Sequence, residues 1–268
     1  MFDAFNKQLN SYVLRTVDSG IEPLEINFEP VFDLSYGEPV AYRAWLTVNS
    51  IISGVIPHES YMRSGADEKT LADVSLRAVK KAVRAISELK AAGVDVKLVF
   101  VKCSVALFER ADLYGDLKSL FGGEELINRI CLEFFGEAYE YDTETLEKAF
   151  CDIRAAGLKV AVSGYGGENF PIEKLIKICP DYVFTSKELS RLCSDREKRS
   201  AVAPLINLVK GLGGKIIAEG VGTDDELREF RSRDCFGFIP SESYRGGVSA
   251  VKKTYRLGEL TGGGDERS

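Results

Sequence analysis

Two glutamates stand at the ends of apolar runs, Glu133 in CLEFFG and Glu219 in IAEG. A carboxylate at such a position can exchange a proton, hold a divalent cation or neutralise a buried cation. The glycines of SGYGG (163–167) offer backbone NH groups that could converge on an anion, although a plain strand-to-loop turn is the favoured reading. The single histidine, His58, lies between Pro57 and Glu59 and reads as a loop residue, which leaves little room for histidine chemistry. Six cysteines (Cys103, Cys131, Cys151, Cys179, Cys193 and Cys235) are scattered without a CxxC pair, mostly in or beside apolar runs. They read as buried thiols, and no zinc site is legible.

Composition narrows the partners. Forty-one acidic residues against 35 basic ones give a net charge of −6 over 268 residues. A binder that neutralises phosphates along a nucleic acid needs a basic surface, so no direct nucleic-acid contact is expected. No apolar stretch reaches the ~18 residues of a membrane span, and MFDAFNKQLNSYVLR is not a cationic leader followed by an apolar core. The chain is therefore expected to be cytoplasmic, with no membrane partner.

The elements that would position Glu133 and Glu219 follow a regular order. LEINFEPVFDL (24–34) and PVAYRAWLTV (39–48) read as an antiparallel hairpin. A helix from about Ser64 to Ala92 carries Leu71, Val74, Ala78, Ala82, Ile86 and Leu89 at helical spacing and is ended by Gly93. Strands then alternate with helices: 96–103, 129–135, 158–164, 181–186, 215–220 and 235–239 read as strands. Helices are read at 143–157, at 171–179 with Pro171 as first residue, from 187 to about 210, and at 224–233. Such alternation predicts an α/β fold with a parallel sheet under helices, and at this length a closed (β/α) barrel. The domain limits are read as an N-terminal segment or helix over 1–22, a barrel over 23–258 and a disordered tail over 259–268.

In this order, the strand ends resemble the EAL family of bacterial cyclic-di-GMP phosphodiesterases. FEPVFDLSYGEPVAYRAWL looks like the family's opening hairpin, GVIP (54–57) its Gly-x-x-Pro loop, and AAGLKVAVSGYGG the segment with paired aspartates. PDYVFTSKEL looks like its Lys-x-Asp strand, and LGGKIIAEGVGTDDEL its Ala-Glu-Gly-Val-Glu segment. The resemblance implies an EAL-type modified (β/α)8 TIM-like barrel with an antiparallel first strand. It also implies a site where carboxylates and an asparagine hold two divalent metals that activate water against a phosphodiester.

Against that pattern the chain departs at nearly every position. Arg43 stands for the glutamate of Glu-Ala-Leu, Thr47 for a phosphate-contacting arginine, and Lys102 for the metal-binding asparagine. Ser163 and Gly164 replace the paired aspartates, Phe184 the lysine and Phe236 a late glutamine, while Gly222 replaces the second glutamate of Glu-Gly-Val-Glu. Of the metal-site acids Glu133 and Glu219 remain, with Glu137 as a displaced candidate beside Gly136. A cation 4 Å from a metal ion is repelled by several kcal/mol even at an effective dielectric of about 20. The resemblance therefore implies a degenerate member with no catalytic residues, no metal and no cofactor. Arg43 and Lys102 are expected to pair with Glu133 and Glu219. The expected role is a regulatory module that binds a protein partner, with homodimerisation left open. Thr47 and Phe184 argue against cyclic-di-GMP binding; a metal-free cyclic-di-GMP receptor is the alternative, and residual hydrolysis ranks third.

Overall fold

The computed structural model describes residues 24–35, 39–50, 54–62, 68–121, 124–135, 141–168, 170–195, 197–242, 244 and 254–260. Strand β1 (Leu24–Phe32) pairs antiparallel with β2 (Pro39–Ser50), and Glu29 lies directly opposite Arg43. Alternation sorts the side chains. Ile26, Phe28, Ala44 and Leu46 join the core beneath the helices, whereas Val31 and Ala41 join a second cluster inside the barrel.

Six further strands extend the sheet in parallel from β2 onward: β4 (Val99–Lys102), β5 (Ile130–Phe134), β6 (Lys159–Tyr165), β7 (Tyr182–Thr185), β8 (Lys215–Val221) and β9 (Gly237–Pro240). Strand β9 returns to β1 through the Phe32–Phe238 pair, which closes the barrel. A short β3 (Gly54–Ile56) pairs with β2, and β10 (Tyr255–Arg256) lies along β1. The result is a closed eight-stranded mixed barrel whose first strand runs antiparallel.

Between strands lie α1 (His58–Met62), α2 (Glu68–Ala91), a 3-10 turn (Val105–Glu109), α3 (Leu113–Ser119), α4 (Glu124–Ile127), α5 (Thr143–Ala155), α6 (Ile172–Ile178), α7 (Lys187–Leu192), α8 (Arg199–Gly211) and α9 (Asp224–Ser232), and α10 (Leu257–Leu260) follows β10. Helix α2 turns Ala78, Ala82, Ala85, Ile86 and Leu89 inward, and Gly93 after it takes φ +83°, a left-handed conformation that suits glycine. Inside the barrel, Leu98, Phe100, Cys131, Ala161, Tyr182, Phe184, Ile217 and Ile239 pack as an apolar plug. Phe100 meets the rings of Tyr182 and Phe184 edge-on at 4.9 and 5.0 Å.

Several local expectations change. The helical region after residue 187 is two helices, because the Asp195 carboxylate accepts NH groups of Glu197 and Lys198 and turns the chain between them. Pro171 precedes α6 rather than opening it, and Cys151 and Cys179 are exposed while the other four thiols are buried. Leu260 and Glu259, read as tail, belong to α10. The expected helix in 1–22, the Gly136–Glu137 alternative and the tail from 261 onward lie outside the described residues. Among the described residues no helix is long and apolar enough to cross a membrane.

Candidate functional site

Above the apolar plug, the next inward-facing residues of β2, β4, β5, β6 and β8 form a polar, mostly charged layer at the C-terminal mouth of the barrel, where strand ends converge. Arg43 follows Ala41, Lys102 follows Phe100, Glu133 follows Cys131, Ser163 follows Ala161 and Glu219 follows Ile217, each by two positions. Glu29 enters the same layer from the antiparallel strand.

Arg43 is the hub. It is 3 % exposed, and its Nε donates to Glu133 Oε2 at 2.7 Å while Nη2 donates to Glu133 Oε1. Its Nη1 lies 3.1 Å from Glu219 Oε2 and 3.8 Å from Glu29 Oε2. The Ser163 hydroxyl donates to Glu133 Oε1, and the Phe184 ring supports the guanidinium with its centroid 4.6 Å from Cζ. Burial disfavours a charge here, yet Glu133, Glu219 and Glu29 together hold Arg43 firmly protonated, above its ordinary pKa. Burial alone would raise the Glu133 pKa; Arg43 outweighs it and holds the carboxyl below its ordinary range. Glu29, dominated by burial and crowded by Glu219 and Glu133, is raised despite Arg43.

Lys102 behaves differently from Arg43. Its Nζ lies 3.4 Å from Glu59 Oε1 and 5.2 Å from the centre of the Trp45 ring, and, contrary to expectation, its ion pair is with Glu59 and not with Glu133 or Glu219. Thr47 is buried and accepts a hydrogen bond from Asn27 Nδ2 at 2.9 Å. Gly164 takes φ +86°, and a Cβ there would touch the Phe135 ring at 3.5 Å. Phe236 is not part of the layer. It precedes β9, against Tyr182 and beneath Lys215, at the opposite end of the barrel; Ile239 is the residue beside Glu219.

Glu219 is held by its backbone. Its NH donates to Thr185 Oγ1 at 2.9 Å and its carbonyl accepts from Ser190 Oγ at 2.7 Å. Gly220 then turns left-handed at φ +74°, where a Cβ would come within 2.8 Å of Lys187 Cγ. Gly222, in the place of a second glutamate, gives its NH to Glu226 at the start of α9.

The layer floors a cavity of about 330 Å³, lined among others by His58, Glu59, Lys102, Phe135, Lys187 and Glu219. Sequence reasoning missed Glu29, His58 and Lys187. The signal for Glu29 lay in FEP, where the resemblance has Gln-Pro; His58 opens α1 and lines the mouth rather than a remote loop.

These residues do not fit a two-metal centre. Such a centre needs several carboxylates with free lone pairs, but Glu133 is saturated by Arg43 and Ser163, and Glu219 faces the same guanidinium. Among the described residues no group of three or more His, Cys, Asp or Glu side chains is arranged to hold a metal ion.

Comparison with known proteins agrees with the architecture. The EAL enzyme Bd1971, solved with cAMP and cyclic-di-GMP, superposes with a TM-score of 0.75 at 15% identity, covering 97% of this chain and 69% of that one. The Xanthomonas citri FimX EAL domain in complex with c-diGMP gives 0.71 at 14% identity, over 92% and 96%. Klebsiella pneumoniae BlrP1, a manganese/cyclic-di-GMP complex, gives 0.66 at 19%, over 82% and 55%. No curated protein matches the chain by sequence.

These complexes overturn the expectation against cyclic-di-GMP binding, since the fold holds that nucleotide in each of them. The physical reason is local. Thr47 is tied to Asn27 and Phe184 lies under Arg43, so the cations missing at these two positions are missing from residues that do not line the cavity, whose wall carries Lys102 and Lys187. The EAL domain model matches residues 19–238, and the chain belongs to the EAL domain family.

Proposed function

We propose that this chain is a non-hydrolysing EAL domain that recognises cyclic-di-GMP without metal and acts as a regulatory module in signalling. The observation that carries this reading is the Arg43 guanidinium enclosed by Glu133, Glu219 and Glu29. A fixed internal cation neutralises the carboxylates that a hydrolytic site would present to metals. In-line attack then lacks both an activated water and a Lewis acid for the leaving oxygen.

Recognition does not need those metals. Lys102 and Lys187 supply positive charge at the cavity wall, and Phe135, 52 % exposed at its rim, offers a face for a base to stack on. A protein partner would read the liganded state. Ile172 and Ile176, one turn apart on α6 and both exposed, provide an apolar surface of the kind a partner covers.

The test is incubation with cyclic-di-GMP in Mg²⁺ or Mn²⁺, with chromatography of the products and equilibrium dialysis of the unreacted nucleotide. Retention of intact cyclic-di-GMP without linear product supports the reading. Steady metal-dependent turnover overturns it.

A further inference from the structure

The hydrogen bonds around His58 fix which of its ring nitrogens carries the proton. His58 Nδ1 lies 2.9 Å from the Tyr61 hydroxyl, and that hydroxyl donates to the Leu46 carbonyl at 3.0 Å. A carbonyl only accepts, so the single phenolic proton is committed to Leu46. Both contacts hold together only if Nδ1 is the N–H donor and the Tyr61 oxygen accepts from it. Tyr61 is 2 % exposed, and burial drives its pKa upward, so the phenol keeps its proton. Nε2 is then left as a lone-pair acceptor on a ring that lines the mouth cavity.

We infer that His58 Nε2 is a specificity-determining acceptor that selects a guanine ring through its N–H edge. The inference rests on the cyclic-di-GMP reading of this site. Its neighbours complete the pattern. Glu59, next in the chain and lining the same cavity, offers a carboxylate, and Lys102 Nζ stands 3.4 Å from Glu59 Oε1 as a donor. One donor, Lys102 Nζ, and two acceptors, Glu59 and His58 Nε2, on the same cavity are the complements of the O6, N1–H and N2–H₂ edge of guanine. Adenine instead turns its amino group toward the Lys102 donor and its N1 lone pair toward the Glu59 carboxylate, and meets His58 Nε2 with a C–H that donates no ordinary hydrogen bond. Such a mismatch discriminates because the wrong ring leaves the half-buried His58 imidazole without a donor.

The electrostatics keep Nε2 available. Burial first, then Lys102, lower the His58 pKa to about 4; Glu59 and Glu133 oppose this and Arg43 adds to it. The imidazole stays neutral and Nε2 stays an acceptor through the physiological range.

Because His58 is the only histidine, a histidine-labelled sample gives one ring in long-range ¹H–¹⁵N spectra. The expected result is a proton on Nδ1 and a pyridine-type Nε2, whose resonance moves toward the hydrogen-bonded value when cyclic-di-GMP is added. A proton on Nε2, or an unmoved Nε2 resonance at saturation, overturns the inference while leaving receptor function intact. Titration of H58F provides the second readout. Its preference for cyclic-di-GMP over cyclic-di-AMP should fall by about tenfold or more relative to the parent chain. An unchanged ratio overturns the role of His58, whereas a parent chain that binds no cyclic-di-GMP overturns the receptor reading itself.

Discussion

The Arg43 guanidinium grips the Glu133 carboxylate side-on inside the barrel, Nε to Oε2 at 2.7 Å and Nη2 to Oε1, with the Phe184 ring beneath. Both side chains are nearly excluded from solvent. The pair is a bidentate, charge-assisted contact, the strongest form of such an interaction. It also sets the chemistry of the mouth, because it commits a carboxylate that would otherwise be free to hold a metal.

Removing one partner leaves the other charge buried, so Arg43→Leu should lower unfolding stability by about 3–5 kcal/mol. Arg43→Leu combined with Glu133→Leu should recover part of that loss, since a buried ion pair replaced by apolar groups is often close to neutral. Urea denaturation of the three proteins measures this. A loss below 1 kcal/mol for the single variant would show that the pair is not buried as described.

Metal should not matter to folding. A ligand that binds the native state raises the melting temperature by mass action. With Arg43 between Glu133 and Glu219, the melting temperature in EDTA should equal that in Mg²⁺ or Mn²⁺. A clear rise with either metal contradicts the arrangement.

An aspartate placed where the EAL resemblance has one should cost stability instead of building a metal site. Gly164 sits at φ +86°, so Gly164→Asp forces a left-handed aspartate worth about 1–2 kcal/mol of strain. Thermal unfolding should show the loss with Mg²⁺ present or absent. Recovery by Mg²⁺ would mean that the mouth can still assemble a metal site.

His58 predicts a pH dependence. Its folded pKa of about 4 lies below the ordinary 6.5, so the unfolded chain takes up a proton first as the pH falls. Its contribution is constant above pH 6.5 and is lost between 6.5 and 4, by at most about 3 kcal/mol at 1.36 kcal/mol per unit. Denaturation midpoints at pH 7.5 and 5 should therefore separate less in His58→Gln than in the parent chain. Equal separation would mean that His58 is solvated and ordinary.

Much of this was legible in the sequence, and the failures have physical causes. The hairpin of β1 and β2 and the strand–helix alternation follow from periodicity, and Arg43, Lys102, Glu133, Ser163 and Glu219 all reach one layer because inward residues repeat every two positions. Phe236 is assigned to the mouth by its match to a late glutamine, but such a match gives order along the chain and not height in the barrel, and the residue stands just before β9, against Tyr182 and beneath Lys215. Lys102 was paired with the wrong acid because Glu59 comes from α1, distant in sequence and outside the strand pattern. Glu29 looked like an ordinary alternating strand residue. Only its register opposite Arg43 reveals a third carboxylate around the guanidinium. His58 reads as a loop residue until Tyr61, one helical turn away, gives its ring an orientation.

Calorimetric titration of cyclic-di-GMP into the protein, once with Mg²⁺ and once with EDTA, bears most directly on the proposal that Arg43 stands in for metal. The account predicts saturable binding with the same Kd in both buffers and intact nucleotide recovered afterwards. Binding that appears only with Mg²⁺, or recovery of linear product, would contradict it.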